Sequence, residues 1–120
     1  MYNITFYVDR KGRAPVRDYT NQLFFKNDKN SRIKFRQIKM QVESLVEKGT
    51  RIGKPVVKHL RGEIWELRPL RDRILFAAWV GNSFVLLHSF QKETEKTPVE
   101  EIEKAERELA DFKERFGDQL

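Results

Sequence analysis

The stretch Leu60–Lys96, LRGEIWELRPLRDRILFAAWVGNSFVLLHSFQKETEK, decides the fold. Apolar runs rich in Ile, Val, Leu, Phe and Trp are separated in it by short clusters of Pro, Asp, Gly and Asn, the pattern of strands joined by tight turns. It predicts three consecutive strands. The first covers Glu63–Arg68 and closes through Pro69, Leu70, Arg71 and Asp72. The second covers Arg73–Val80 and closes through Gly81 and Asn82; the third covers Ser83–Lys92. Side chains alternate across a strand, so Ile64, Glu66 and Arg68 are expected on one face and Glu63, Trp65 and Leu67 on the other. On the third strand Leu86, His88, Phe90 and Lys92 are expected to share a face. Charged and aromatic side chains gathered at strand ends suit a charged, planar partner.

The flanking segments read as scaffold. Tyr2–Val8 alternates as an opening strand, with Ile4, Phe6 and Val8 on one face. Pro15 fits the first turn of a helix, where its missing N–H is not needed. Val16, Tyr19, Leu23 and Phe24 then mark a short apolar stripe. Asn27–Ser31 interrupts it, with Asp28 as the cap of a second helix over Lys29–Lys48. That helix buries Phe35, Ile38, Val42 and Leu45 and stops at Gly49. Arg32, Arg36 and Lys39 lie on another of its faces and read as solvated surface. Thr50–His59, with Gly53 and Pro55, reads as a loop. After the strands, Thr97 as N-cap, Pro98 at the first helical position and Glu100 completing a capping box announce a last helix. Its stripe is Ile102, Ala105, Leu109, Phe112 and Phe116, ending at Gly117. The expected class is α+β in the order β-α-α-β-β-β-α: a twisted, mostly antiparallel four-stranded sheet flanked by helices, in a single domain over 1–120.

Composition narrows the function. Nine Phe, three Tyr and two Trp argue for a packed core, and the lack of cysteine excludes a disulfide framework and a Cys-based zinc site. Two distant histidines disfavour a His-only metal site. No early apolar run resembles a signal peptide and no stretch reaches membrane-spanning length, so a soluble, cytoplasmic chain is expected. The net charge is +6, with a sequence pI near 9.7. The cations concentrate before Arg73, whereas the segment from Glu93 onward is net acidic. A basic body points to a polyanion or an acidic protein partner.

No Walker loop, dinucleotide fingerprint, HExxH or nucleophile elbow is present. Glu63, Glu66 and Asp72 alone give weak support for a metal-holding carboxylate cluster. Metal-independent RNA cleavage suits a basic sheet better. The 2′-hydroxyl attacks the adjacent phosphate, which needs a base for its proton, cations for the phosphorane charge and an acid or cation at the departing 5′-oxygen. Arginine suits the phosphate because its planar fork binds two oxygens and keeps its proton. An aromatic ring can hold a base out of its stack for in-line attack.

The segments KHLRGEIWELRP, DRILFAAWV, VLLHSFQKETEKTP and EIEKA, spanning Lys58–Ala105, resemble the RelE/ParE toxin superfamily, and within it the HigB-like, phage-derived branch. The resemblance implies a RelE-like fold and a type II toxin that cleaves mRNA on the ribosome without a cofactor. It also implies a cognate helix-turn-helix, HigA-like antitoxin. By matching position, Arg68 and Arg73 would contact the scissile phosphate, Lys92 would be the basic group ending the last strand, and Phe90 would stack on a base. The tyrosine that some relatives carry near the C-terminus has no counterpart. Glu66 stands where relatives carry Lys or Glu, so the general base stays open between Glu66 and His88, the latter a natural proton carrier near neutral pH. Lys54, Lys58, His59, Arg61 and Lys96 would contact the RNA backbone. A ParE-like gyrase inhibitor and a non-catalytic RNA-binding module are the alternatives.

Overall fold

The computed structural model describes residues 1–117, so the last three positions of the expected 1–120 domain lie outside the described residues. Among these, five strands form one sheet: β1 (Asn3–Phe6), β2 (Val57–Arg61), β3 (Ile64–Leu67), β4 (Asp72–Trp79) and β5 (Ser83–Gln91). Their spatial order is β1-β5-β4-β3-β2. Three α-helices flank the sheet: α1 (Pro15–Phe25), α2 (Lys29–Lys48) and α3 (Val99–Phe116). No helix among the described residues is long and apolar enough to cross a membrane.

The α+β class agrees with the sequence reading, but the sheet has five strands rather than four. The added strand, β2, lies in the segment read as a loop running into the first strand. Val57 is its one fully buried side chain, and Lys58, His59 and Arg61 give it a polar signature. An edge strand pairs on one side only and commonly carries charge, so its hydrophobic pattern is weak. It runs antiparallel to β3, with Val57 opposite Leu67 and Lys58 opposite Glu66. At the other edge β1 pairs with β5 in parallel, from Asn3 opposite Ser83 to Phe6 opposite Leu86. This strand is shorter than the expected Tyr2–Val8.

The two sheet faces carry separate cores. Val16, Leu23, Ile38 and Leu45 from α1 and α2 pack on Leu67, Ile74, Phe76 and Leu86. Ala105, Leu109 and Phe112 from α3 cover Ile64, Leu75, Val85 and Leu87. The α2 boundaries match the sequence reading: the Asp28 carboxylate accepts from the Ser31 N–H at 2.8 Å, and Gly49 ends the helix at φ +62°. A Cβ at Gly49 would come within 2.8 Å of the Tyr2 ring, so both conformation and space demand glycine there.

Three local expectations fail. Phe76 pairs with Leu86 while Leu75 pairs with His88, so Leu87 is an extra residue in β5. Such a bulge changes the phase of the strand. Leu86 therefore faces α1 and α2, whereas Leu87, His88 and Phe90 face α3. Thr97 does not cap α3. The helix begins after Pro98 without a side-chain cap, because the Thr97 hydroxyl donates instead to Glu66 Oε1 across the sheet at 2.5 Å. Phe116, the last member of the expected stripe, is exposed.

A charged clasp ties the end of α3 to the N-terminal segment. Asp111 accepts from the Tyr7 hydroxyl at 2.7 Å, Arg10 Nε at 2.6 Å and Arg115 Nη2 at 2.8 Å. The Tyr7 hydrogen bond, with those of Arg10 and Arg115, holds the Asp111 carboxyl down at about 2. A carboxyl depressed on folding stabilises the native state above its ordinary value of 3.8, and that contribution is lost as pH falls through about 2. Thermal unfolding from about pH 6 down to about pH 2 should show a wild-type advantage over Asp111→Asn that shrinks with acid. An advantage constant across that range would contradict the clasp.

Candidate functional site

A cavity of about 340 Å³ opens where β5 ends and α3 begins, lined by Arg73, Phe90, Lys92, Lys96, Thr97 and Glu101 among others. Sheet register explains the gathering. Lys58, Glu66, Leu75 and His88 form one transverse row across β2, β3, β4 and β5. The β3–β4 ladder ends with Leu67 opposite Ile74, so Arg68 and Arg73 come next on the two chains, and Arg73 pairs with Phe90. Both rows face α3, and the second lies at the sheet's open end.

Each arginine is positioned through backbone. Arg73 Nη1 donates to the carbonyls of Leu70 at 2.9 Å and Asp72 at 2.8 Å, which seats the guanidinium on the β3–β4 turn. Leu70 bends that turn with φ +57°. From the opposite sheet face the Tyr19 hydroxyl donates to both Asp72 carboxylate oxygens at 3.0 Å, anchoring the turn to α1. Burial raises the Asp72 carboxyl above its ordinary range, with the Tyr19 hydrogen bond opposing. Gln41 of α2 brackets Arg68, accepting from its N–H at 3.1 Å and donating to its carbonyl at 3.3 Å.

Two like charges stand close together here. Burial first, and the neighbouring Arg68 second, push the Arg73 guanidinium below the ordinary arginine range, with Glu66 opposing. Arg68 Nε is buried without a hydrogen-bond partner among the described residues; the nearest carboxylate oxygen, Glu66 Oε2, is 3.6 Å away. Glu66 is itself 1% exposed behind Thr97. Lys92 adds a third cation, its Nζ 3.9 Å from the exposed Glu95. Arg73, Lys92 and Lys96 share the cavity wall with Glu93, Glu95 and Glu101, so cations and carboxylates alternate around it, with Arg68 and the buried Glu66 behind. No group of three or more His, Asp or Glu side chains converges as a metal cage among the described residues.

The remaining candidates divide. His88 lies behind the cavity under α3, 1% exposed, with Nδ1 2.6 Å from Glu108 Oε1 and Nε2 2.9 Å from Glu101 Oε1. Both ring nitrogens are engaged by carboxylates, so neither offers a lone pair to the cavity. Lys58 is half-buried on the same sheet face, and Lys54 is exposed in the turn before β2. His59 belongs elsewhere: its Nε2 lies 2.8 Å from the Gly62 carbonyl and its ring packs on Trp65. Arg61 is paired with Glu106 of α3 at 2.6 Å.

Sequence reasoning missed Gln41, Thr97, Glu101 and Glu108. Glu101 and Glu108 are seven residues apart and flank Ala105 on the stripe that α3 buries. Carboxylates on a buried stripe require partners, and that was the available signal for the His88 bracket.

Removing the hydroxyl in Tyr19→Phe leaves the Asp72 carboxylate, 3% exposed, without its donor. Urea unfolding should show a loss of about 2 kcal/mol, the order expected for an orphaned buried acceptor. A change under about 0.5 kcal/mol would mean that the Tyr19–Asp72 contact does not hold the turn.

The family model described as Phage derived protein Gp49-like (DUF891) matches residues 24–110. The matched span includes α2, all of β2–β5 and most of α3. Comparison with curated proteins returns no match.

Proposed function

The chain belongs to the Gp49-like family of phage-derived proteins, and from that premise we propose that it is the toxin of a type II toxin–antitoxin pair, a HigB-like mRNA endonuclease. The family is compatible with such a toxin, and the sheet with its flanking helices is on this reading the RelE-like fold. The observation that carries the catalytic part is the proximity of Arg68 to Arg73 beside the buried Glu66, at the edge of a cavity that Arg73 and Phe90 line.

In this reading an mRNA strand in the ribosomal A site lies with its scissile phosphate between Arg68 and Arg73, and one base stacks on Phe90. The 2′-hydroxyl oxygen attacks phosphorus. Its proton passes to the Thr97 hydroxyl oxygen as Thr97 passes its own to Glu66, along the 2.5 Å hydrogen bond. The two guanidinium groups take up charge on the phosphorane oxygens as it develops, a contribution specific to the transition state. The P–O5′ bond then breaks, and Lys92 supplies the proton to the departing oxygen. Glu66 is thus the base. His88, with both nitrogens engaged, positions Glu101 at the cavity wall. Lys96, Lys58 and Lys54 steer the RNA backbone, while His59 and Arg61 keep structural partners.

Primer extension on a translated reporter transcript tests this. Arg68→Ala and Arg73→Ala should each slow cleavage by about 100-fold or more, as removal of a transition-state donor does elsewhere, with thermal unfolding close to wild type. Cleavage at the wild-type rate in both variants would refute the assignment, and inhibition of gyrase supercoiling without RNA cleavage would favour the ParE-like alternative.

A further inference from the structure

Away from the cavity, exposed apolar surface gathers on α1 and α2. Phe24 and Phe25 are 60% and 79% exposed, and Ile33 and Met40 also face outward. Phe24 packs edge-on against Phe25 at 5.1 Å and tilted against Phe35 at 5.2 Å. Leu23, Phe24 and Phe35 floor a groove of about 320 Å³ whose rim is Arg32, Arg36 and Lys39. Those cations are spaced four and three residues apart, so they form one ridge along the helix. Among the described residues Arg32 donates to Asn27 Oδ1 at 3.2 Å, and none of the three joins an ion pair. The face read from sequence as simply solvated is therefore a cationic ridge beside an uncovered aromatic step.

We propose that this groove docks an acidic amphipathic helix of the protein that neutralises this chain, the antitoxin. The identity of that partner rests on the toxin reading; the surface does not. An apolar floor takes the apolar stripe of a helix. Carboxylates three and four residues apart on the same helix meet the ridge, and opposite charge across the rim sets register and speeds association. RNA fits less well, because Phe24, Phe25 and Phe35 turn edges and faces on one another instead of standing apart as stacking platforms. The groove lies on the α1–α2 side of the sheet and the cavity on the α3 side. A helix seated in it leaves Arg68 and Arg73 untouched.

Calorimetric titration of the antitoxin encoded beside this chain into wild type, Phe24→Ser, Arg36→Glu and Arg73→Ala tests the proposal, with mRNA cleavage measured on the same preparations. Phe24→Ser and Arg36→Glu should each weaken binding by about 30-fold, the size of an interface hot spot, at unchanged cleavage rate. Arg73→Ala should bind as wild type does. Wild-type affinity in both groove variants overturns the proposal while the toxin reading survives. So does a groove-dependent homodimer of the chain alone, or a loss of affinity confined to RNA. An antitoxin that does not bind wild type overturns both. Groove-dependent binding by a chain that cleaves nothing upholds the proposal and removes the catalytic reading.

Discussion

Two guanidinium groups of like charge stand beside each other at one end of the sheet, and the structure around them is arranged to hold them there. Arg73 is fixed by two carbonyls of its own turn. That turn is anchored from behind by Tyr19 on Asp72, and Gln41 grips the backbone of Arg68 from α2. Left in water, two such side chains would separate. Held together beside the buried carboxylates of Glu66 and Asp72, they repel each other, and an incoming anion relieves that repulsion. This is preorganisation: the charges stand in place before charge develops on the ligand.

The far wall depends on α3, which crosses the sheet with more than an apolar stripe. Thr97, just ahead of the helix, bonds Glu66, while Glu101 and Glu108 bracket His88. These contacts are buried polar pairs, which specify one seating of the helix because any other leaves a charge unpartnered. The bulge at Leu87 makes the bracket possible. Without the extra residue His88 would share a face with Leu86, toward α1 and α2.

Much of this was legible in the sequence. Both hairpins, the α2 boundaries with the Asp28 cap and Gly49 stop, and the gathering of Arg73, Phe90 and Lys92 at one sheet end follow from alternation and turn residues. Most of the misreadings share one cause, which is that a local pattern was overridden by a distant partner. β2 lacks an apolar signature because an edge strand needs none, and its pairing with β3 decides it. Thr97-Pro98-Val99-Glu100 has the form of a capping box, but a buried Glu66 competes for the hydroxyl. The phase slip in β5 leaves no mark in an unbroken apolar run. Arg61 and His59 look like free basic residues until Glu106 and Trp65 arrive from elsewhere in the fold.

The central claim is that Arg68 and Arg73 jointly bind a phosphate within RNA. Titrating ¹⁵N-labelled protein with a 2′-O-methyl RNA trinucleotide, which cannot be cleaved, follows their Nε–H resonances directly. The account predicts that both shift together and saturate at one ligand concentration, while the ion-paired Arg10 and Arg61 stay still. Shifts confined to other arginines, or none at Arg68 and Arg73 at saturating ligand, would contradict it.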